Sequence, residues 1–141
     1  MSPPVDPAIL AAVPHRPPML RLHRIAAASA SAVEVAGNEP TGPGALPWEL
    51  GAIEGLAQGA AVLLAQAPPG PPPARADAAP RGMLVAIKHF TIEAFPPPGA
   101  EITYRVQLVR RLGATVMVAG TAECCGRRLA GGQLTLWTAP A

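Results

Sequence analysis

Charge, aromatic side chains and cysteine are all scarce in this chain of 141 residues. Charged residues make up 14% and aromatic residues 4%, and the formal net charge is only +2. No basic run alternates with aromatic residues, so the chain lacks the footprint of a nucleic-acid-binding domain. The two cysteines, Cys124 and Cys125, are adjacent, and a disulfide between neighbours requires strained geometry. Two thiols without nearby histidines also make a poor zinc site, so we expect reduced strand cysteines and no metal or other cofactor.

Long apolar runs are missing as well. No run reaches the length of a membrane span, and the first residues, MSPPVDPAIL, have neither the basic region nor the apolar core of a secretory signal. We therefore expect a cytoplasmic protein without a membrane partner. The hydrophobic fraction of 50% is enough for a core, and the length suits one domain over residues 1–141. Proline is concentrated in residues 67–80, which we expect to form a loop.

Residues 48–66 have the spacing of a helix and almost no polar side chains. Apolar residues follow the i, i+3, i+4, i+7 pattern at Leu50, Ile53, Leu56, Ala57, Ala60, Leu63 and Leu64. Gly51, Gly55 and Gly59 predict a smooth helix face that sheet backbone approaches closely, because glycine in a helix otherwise lowers stability. A single carboxylate, Glu54, lies in the middle of this helix. Such a group costs stability unless it is hydrogen-bonded or functional.

The rest of the sequence predicts mainly β structure. A short helix over residues 6–13, with Asp6 as its N-cap, precedes a strand pair formed by MLRLHRI and SAVEVAG. After the proline-rich segment, four apolar stretches separated by glycine and proline turns predict antiparallel strands. We place Trp137, near the end of the last stretch, in the core. A long helix followed by such strands predicts an α+β protein with a curved antiparallel sheet around the helix.

Four motifs, in order, resemble those of the β-hydroxyacyl-[acyl carrier protein] dehydratases. VPHRPPMLRLHRI at residues 13–25 resembles the family's opening signature, Leu-Pro-His-Arg-x-Pro-x-Leu-Leu-Val-Asp-Arg-Val, and GNEP at 37–40 resembles its Asn-Glu-Pro. IEGLAQGAAVL at 53–63 is similar to its central-helix Glu-x-Met-Ala-Gln, and residues 88–102 to the segment before its long strand. The resemblance covers about residues 8–138. It implies the hotdog fold, a long helix wrapped by an antiparallel sheet, with sites at a dimer interface.

The chain departs from this family at the catalytic histidine. The family's Gly-His-Phe-Pro motif lies between Asn-Glu-Pro and the helix, but here that interval reads TGPGALPWELGAI and contains no histidine. PHRPPML and LPWELGAIE look more like a divergent branch, associated with aryl polyene clusters, that also lacks the motif. If that branch catalyses dehydration, His15 is the base by elimination. The alternative is that His15 orders the loop before the first strand.

The resemblance implies roles for residues of the long helix. Glu54 matches the helix carboxylate that acts on the β-hydroxyl of the substrate, and backbone N–H groups near Leu50 and Gly51 are expected to bind the enolate oxygen. Gln58 lies one turn after Glu54 and matches the family glutamine, so it is expected to orient Glu54 or the substrate. Trp48 either lines the acyl tunnel or fills the core.

Three functions stay open. The first is dehydration of β-hydroxyacyl thioesters linked to an acyl carrier protein, in fatty acid, polyketide or aryl polyene type biosynthesis. The second is a non-catalytic or partner-dependent subunit of a heteromeric hotdog dehydratase, which the missing histidine motif motivates. The third is hydrolysis of acyl thioesters, with the helix carboxylate activating water.

The resemblance also implies partners. We expect a homodimer, or a heterodimer with another hotdog subunit. Arg110, Arg111, Arg127 and Arg128 bracket a predicted hairpin. These arginines are either solvated or a docking patch for the acidic carrier protein.

Overall fold

The computed structural model describes residues 3–66 and 81–139, so the loop predicted at residues 67–80 lies outside the described residues. The described elements are, in chain order, α1 Pro7–Ala12, β1 Arg24–Ala28, β2 Ala32–Asn38, α2 Trp48–Gln66, β3 Arg81–Ile92, β4 Glu101–Leu112, β5 Thr115–Cys124 and β6 Arg127–Ala139. The strands form one sheet in the order β1-β2-β4-β5-β6-β3, and every neighbouring pair is antiparallel. The predicted α+β class is confirmed.

The sheet packs around α2 because one of its faces is apolar. Along β5 the even-numbered residues are buried and the odd-numbered residues are partly exposed, which is the period-two pattern of a half-buried strand. The inward side chains join the helix in one core that includes Leu56, Tyr104, Val106, Val116 and Val118. The predicted wrapping of an antiparallel sheet around one long helix is therefore confirmed.

Three glycines let α2 lie close to the sheet. A Cβ atom would lie 2.4 Å from the Tyr104 ring if added at Gly55, and 3.0 Å from a β4 side chain if added at Gly59. At Gly51 it would lie 2.6 Å from the guanidinium of Arg21. These neighbours are side chains, whereas the sequence predicted contact with sheet backbone. The helix therefore needs glycine to make room for large side chains, which come from the sheet at Gly55 and Gly59 and from the segment before β1 at Gly51.

The N-terminal elements agree with prediction only in part. Helix α1 begins at Pro7, and the carboxylate of Asp6 accepts the N–H of Ala8 at 2.9 Å, as an N-cap does. Strand β1, however, begins only at Arg24, late in the MLRLHRI stretch. The backbone N–H of Arg21 donates to the side chain of Gln58 instead of pairing with another strand.

Two further side chains lie away from their predicted positions. Trp137 is 42% exposed, because the neighbouring Leu136 faces the core and successive strand residues face opposite sides. The prediction of a core tryptophan is therefore wrong.

Cys125 lies in the turn after β5, with a φ of 57°, and not in a strand. Its thiol is 2.9 Å from that of Cys124, and this hydrogen bond, together with burial, raises the pKa of Cys124 to about 11.

Candidate functional site

Glu54 lies near the middle of α2, with its carboxylate partly open to solvent. Its side chain is 27% exposed, and its Oε1 accepts an N–H from Gln58 at 3.1 Å. Because residues four apart share one face of a helix, the spacing of these two residues predicts this contact. The lone carboxylate of the apolar helix is therefore hydrogen-bonded and still accessible.

The loop after α1 brings His15 to Glu54. Nε2 of His15 lies 3.5 Å from Oε1 of Glu54, and the imidazole side chain is 42% exposed. Arg16 orders this loop, because its guanidinium donates to the carbonyl oxygens of Leu10, Val13 and His15 at 3.1, 2.8 and 2.8 Å. The structure thus brings together the two side chains that the sequence analysis named as candidate acid and base.

Gln58 is 2% exposed, and its amide is engaged inside the chain. Nε2 donates to the carbonyl oxygen of Met19 at 2.9 Å and to Glu54 at 3.1 Å, and Oε1 accepts the backbone N–H of Arg21 at 2.8 Å. Of the two predicted roles, this geometry favours orienting Glu54. The expected contact of Gln58 with substrate stays a prediction, with both ends of its amide already hydrogen-bonded inside the chain.

A buried ion pair that the sequence patterns did not predict lies beneath the first turn of α2. The side chain of Arg21, 3% exposed, forms a salt bridge with Glu39, whose side chain is 9% exposed. Burial raises the pKa of the Glu39 carboxyl, and the Arg21 guanidinium opposes that rise. Burial likewise raises the pKa of the neighbouring Tyr104. A signal was present in the sequence, since Arg21 stands where the family signature has leucine, and a charge in an apolar motif needs a partner.

The start of α2 holds the backbone groups that are expected to bind the enolate oxygen. The backbone N–H groups of Leu50 and Gly51 both donate to the carbonyl oxygen of Pro47, at 3.1 and 2.9 Å, within the first helical turn. Their role toward a substrate oxygen stays a prediction. Trp48 is 6% exposed, and its Nε1 donates to the carbonyl oxygen of Ala94 at 3.0 Å. It fills the core and ties α2 to the segment after β3.

The remaining histidines lie apart from this pair. His23 contacts Glu101 at 3.4 Å, and His89 is exposed at an irregular point of β3, with a φ of 53°.

In residues 3–66 and 81–139 no three His, Cys, Asp or Glu side chains form a group suited to a metal ion. Within the same ranges no helix is both long and apolar enough to cross a membrane.

The four arginines near the predicted hairpin do not form one patch. Arg110 pairs with Met117 of β5, and Arg127 pairs with Cys124 of the same strand. Seven residues of extended chain separate those two positions, which corresponds to about 23 Å. Arg128 also contacts Glu93 at 3.4 Å. The four arginines therefore lie beside both ends of β5 and not at one point of the sheet.

One concave region on the sheet is lined by residues other than the His15–Glu54 pair. It has a volume of about 640 Å³ and is lined by strand residues such as Ala32, Gln107 and Gln133. None of its lining residues belongs to the pair.

One long helix wrapped by a six-stranded antiparallel sheet defines a hotdog-fold protein. Among solved structures, the chain is similar to the dehydratase heterocomplex ApeI:P from Xenorhabdus doucetiae, with a TM-score of 0.72 and 21% identity over 93% of this chain and 90% of that chain. It is also similar to an HP0420 homologue from Helicobacter felis, with a TM-score of 0.65 and 8% identity over 94% of this chain and 98% of that chain.

A third similar structure is a phenylacetic acid degradation-related protein from Ralstonia eutropha JMP134 that carries a provisional thioesterase assignment. Its TM-score is 0.59, with 17% identity over 81% of this chain and 83% of that chain. At these identities the likeness shows the fold alone. No protein-family model matches the sequence, and no curated protein does.

Proposed function

We propose that this chain dehydrates β-hydroxyacyl thioesters, linked to an acyl carrier protein, to enoyl thioesters. The observation that carries the proposal is the 3.5 Å approach of His15 Nε2 to Glu54 Oε1 on the central helix of a hotdog fold. Elimination needs a base near C2 of the substrate and an acid near the hydroxyl on the adjacent C3. An imidazole and a carboxyl at this separation meet that requirement.

In this proposal His15 is the base and Glu54 is the acid. The imidazole takes the proton from C2, next to the thioester carbonyl, and the C2–C3 double bond forms as the C3–O bond breaks. The protonated carboxyl gives its proton to the leaving hydroxyl, which departs as water. One turnover therefore leaves an imidazolium and a carboxylate. Both side chains are partly exposed, so proton exchange with solvent can restore their starting states.

We further propose that a second hotdog subunit pairs along β3. This strand of 12 residues is the last in the sheet order, so one of its edges has no strand partner within the described part of the chain. Its side chains Met83, Val85 and Ile87 are 60%, 54% and 42% exposed. An exposed apolar edge is a template for pairing with another strand. The partner is a second copy or a different hotdog subunit, and the likeness in fold to a dehydratase heterocomplex supports the latter.

The test is a thioester assay on the purified chain with a β-hydroxyacyl carrier-protein substrate. Enoyl absorbance reports elimination, and a thiol reagent reports hydrolysis. Glu54→Gln and His15→Ala are each expected to lower kcat by about 100- to 10,000-fold, because each removes a proton-transfer group. Glu49→Gln is the matched control, since Glu49 is exposed in the first turn of the same helix and is expected to keep wild-type turnover.

Two other outcomes would replace this proposal. Thiol release without enoyl product would identify a thioesterase. The observation that favours this second candidate is the solvent access of Glu54, because an accessible carboxylate can activate water. A folded chain that makes neither product alone, but makes enoyl product with a second hotdog subunit, would identify a partner-dependent dehydratase subunit.

A further inference from the structure

The turn between β5 and β6 has a cysteine where the backbone favours other residues. The turn consists of two residues between Cys124 and Arg127, and both have positive φ, 57° at Cys125 and 75° at Gly126, as a type I′ hairpin turn requires. Positive φ is uncommon for a residue with a side chain, and glycine, asparagine and aspartate are the usual choices in such turns. Cys125 therefore occupies its position against the backbone preference.

This turn brings two sulfur atoms together. In a continuous strand, neighbouring side chains point to opposite faces. The turn ends that alternation, and the Sγ atoms of Cys124 and Cys125 lie 2.9 Å apart in a thiol–thiol hydrogen bond. A disulfide bond is about 2.05 Å long, so the two sulfurs are within about 1 Å of bonding distance. Both cysteines are free, but Cys124 is buried whereas Cys125 is exposed.

We propose that Cys124 and Cys125 form a redox site that closes reversibly into a disulfide between neighbours. The oxidant is a small disulfide such as oxidised glutathione. The exposed Cys125 thiolate attacks one sulfur of this reagent, whose S–S bond breaks, so that one thiolate leaves and a mixed disulfide forms. Cys124 then gives its proton to solvent, attacks the Cys125 sulfur and displaces the second thiolate. Both leaving thiolates take up protons, so two protein thiols are oxidised while one small disulfide is reduced.

The order of attack follows from the surroundings of the two thiols. The pKa of Cys124 is raised to about 11, first by its hydrogen bond with Cys125 and then by burial, so this thiol keeps its proton at neutral pH. Exchange starts from an accessible thiol, which here is Cys125. Once Cys125 is in the mixed disulfide, the main cause of the raised pKa is removed, and Cys124 loses its proton more easily.

The closed form is expected to be easily reduced. The Cα atoms of neighbouring residues lie about 3.8 Å apart across a trans peptide, whereas the Cα atoms of disulfide-bonded cysteines usually lie about 4.4–6.8 Å apart. Closing the ring therefore strains the chain, and strained or exposed disulfides are the labile ones. The pair is thus suited to a reversible response and not to a permanent cross-link.

The test exposes the purified full chain to buffers of oxidised and reduced glutathione, quenches the exchange with acid and alkylates the remaining thiols. Intact mass spectrometry is expected to show a chain that has lost two hydrogens and takes up no alkylating reagent. Dithiothreitol is expected to restore two alkylated thiols. A wild-type chain that keeps two free thiols at every glutathione ratio, or that only dimerises through cysteine, would overturn the proposal.

Two serine variants separate the roles of the two thiols. Cys124→Ser keeps the exposed thiol but lacks the second one, so it is expected to stop at the mixed disulfide, with one glutathione attached. Cys125→Ser keeps only the buried thiol and is expected to react with oxidised glutathione at least about tenfold more slowly. Circular dichroism checks that both variants fold. Equal reaction rates in the two variants, or a wild type that stops at the mixed disulfide as Cys124→Ser does, would contradict the proposed order of attack.

The wild-type chain unfolded in urea is the control for adjacency in the sequence alone. Because the folded turn holds the two thiols together, the equilibrium constant for closing the disulfide is expected to be at least about tenfold larger in the folded chain. Equal constants would show that the fold does not build this site. None of these readouts depends on turnover, so their outcome is independent of the proposed dehydration.

Discussion

Two pairs of a basic and an acidic side chain border helix α2, and they differ in burial. The Arg21–Glu39 side chains are 3% and 9% exposed, whereas those of His15 and Glu54 are 42% and 27% exposed. A buried ion pair holds its surroundings in place, because removing one partner leaves the other charge without compensation. An open pair contributes little to stability and can exchange protons with a ligand or with water. In a chain with so few charges, one pair is buried beside the helix and the other is open to solvent.

Removing one residue of the buried Arg21–Glu39 pair should have the largest effect on stability. Arg21→Ala leaves Glu39 buried and unpaired, so we expect the free energy of unfolding to fall by about 3–5 kcal/mol in urea denaturation. The control is Arg24→Ala, because the ion pair of Arg24 with Glu101 is open, with side chains 49% and 46% exposed. This substitution should change the free energy of unfolding by about 1 kcal/mol or less. Equal losses in the two variants would mean that burial does not distinguish these pairs.

Replacing Glu39 or Glu54 by glutamine compares the buried pair with the open pair by the same chemical change. Glu39→Gln removes the charge opposite a buried guanidinium and should cost about 3 kcal/mol. Glu54→Gln should change the free energy of unfolding by about 0.5 kcal/mol or less, because the pair is open and the amide oxygen still accepts the N–H of Gln58. Thermal unfolding of both variants checks this. A comparable loss in Glu54→Gln would show that its carboxylate is structural.

Adding a methyl group at Gly51, against the Arg21–Glu39 pair, should lower the free energy of unfolding by a smaller amount. Gly51→Ala would put a Cβ atom 2.6 Å from the Arg21 guanidinium, so the side chain must shift away from Glu39. We expect a net loss of about 1–2 kcal/mol even though alanine favours the helix by about 1 kcal/mol. Gly59→Ala is the control, with its nearest neighbour at 3.0 Å and near-neutral stability expected. Gly51→Ala as stable as Gly59→Ala would contradict the tight fit under the first turn.

Sequence patterns predicted the elements that depend on neighbouring residues. The helix over 48–66, the cap at Asp6 and the antiparallel strands after the proline-rich segment are all as expected, because periodicity and capping act within a few residues. The contact between Glu54 and Gln58 was expected for the same reason, since both lie on one helix face. The interpretation of Gln58 was incomplete because its other partners lie on a distant part of the chain.

Errors arose where a side chain's surroundings come from several segments. Trp137 was placed in the core by its type, yet the register of β6 turns it outward beside Met83. The role of the Leu50 and Gly51 N–H groups toward an enolate oxygen stays a prediction, with the Pro47 carbonyl accepting both. The four arginines, expected to be either solvated or a docking patch, lie beside both ends of β5.

The sequence by itself determined the long apolar helix with its single carboxylate, and it determined the antiparallel strands, because spacing of apolar residues specifies both. Only the tertiary structure decided which basic residue meets which acid. Residues 15 and 54, and residues 21 and 39, lie on separate segments that meet only in the packed chain, where one pair is open to solvent and the other is buried. Burial is a property of the whole packed chain, so no local pattern can report it.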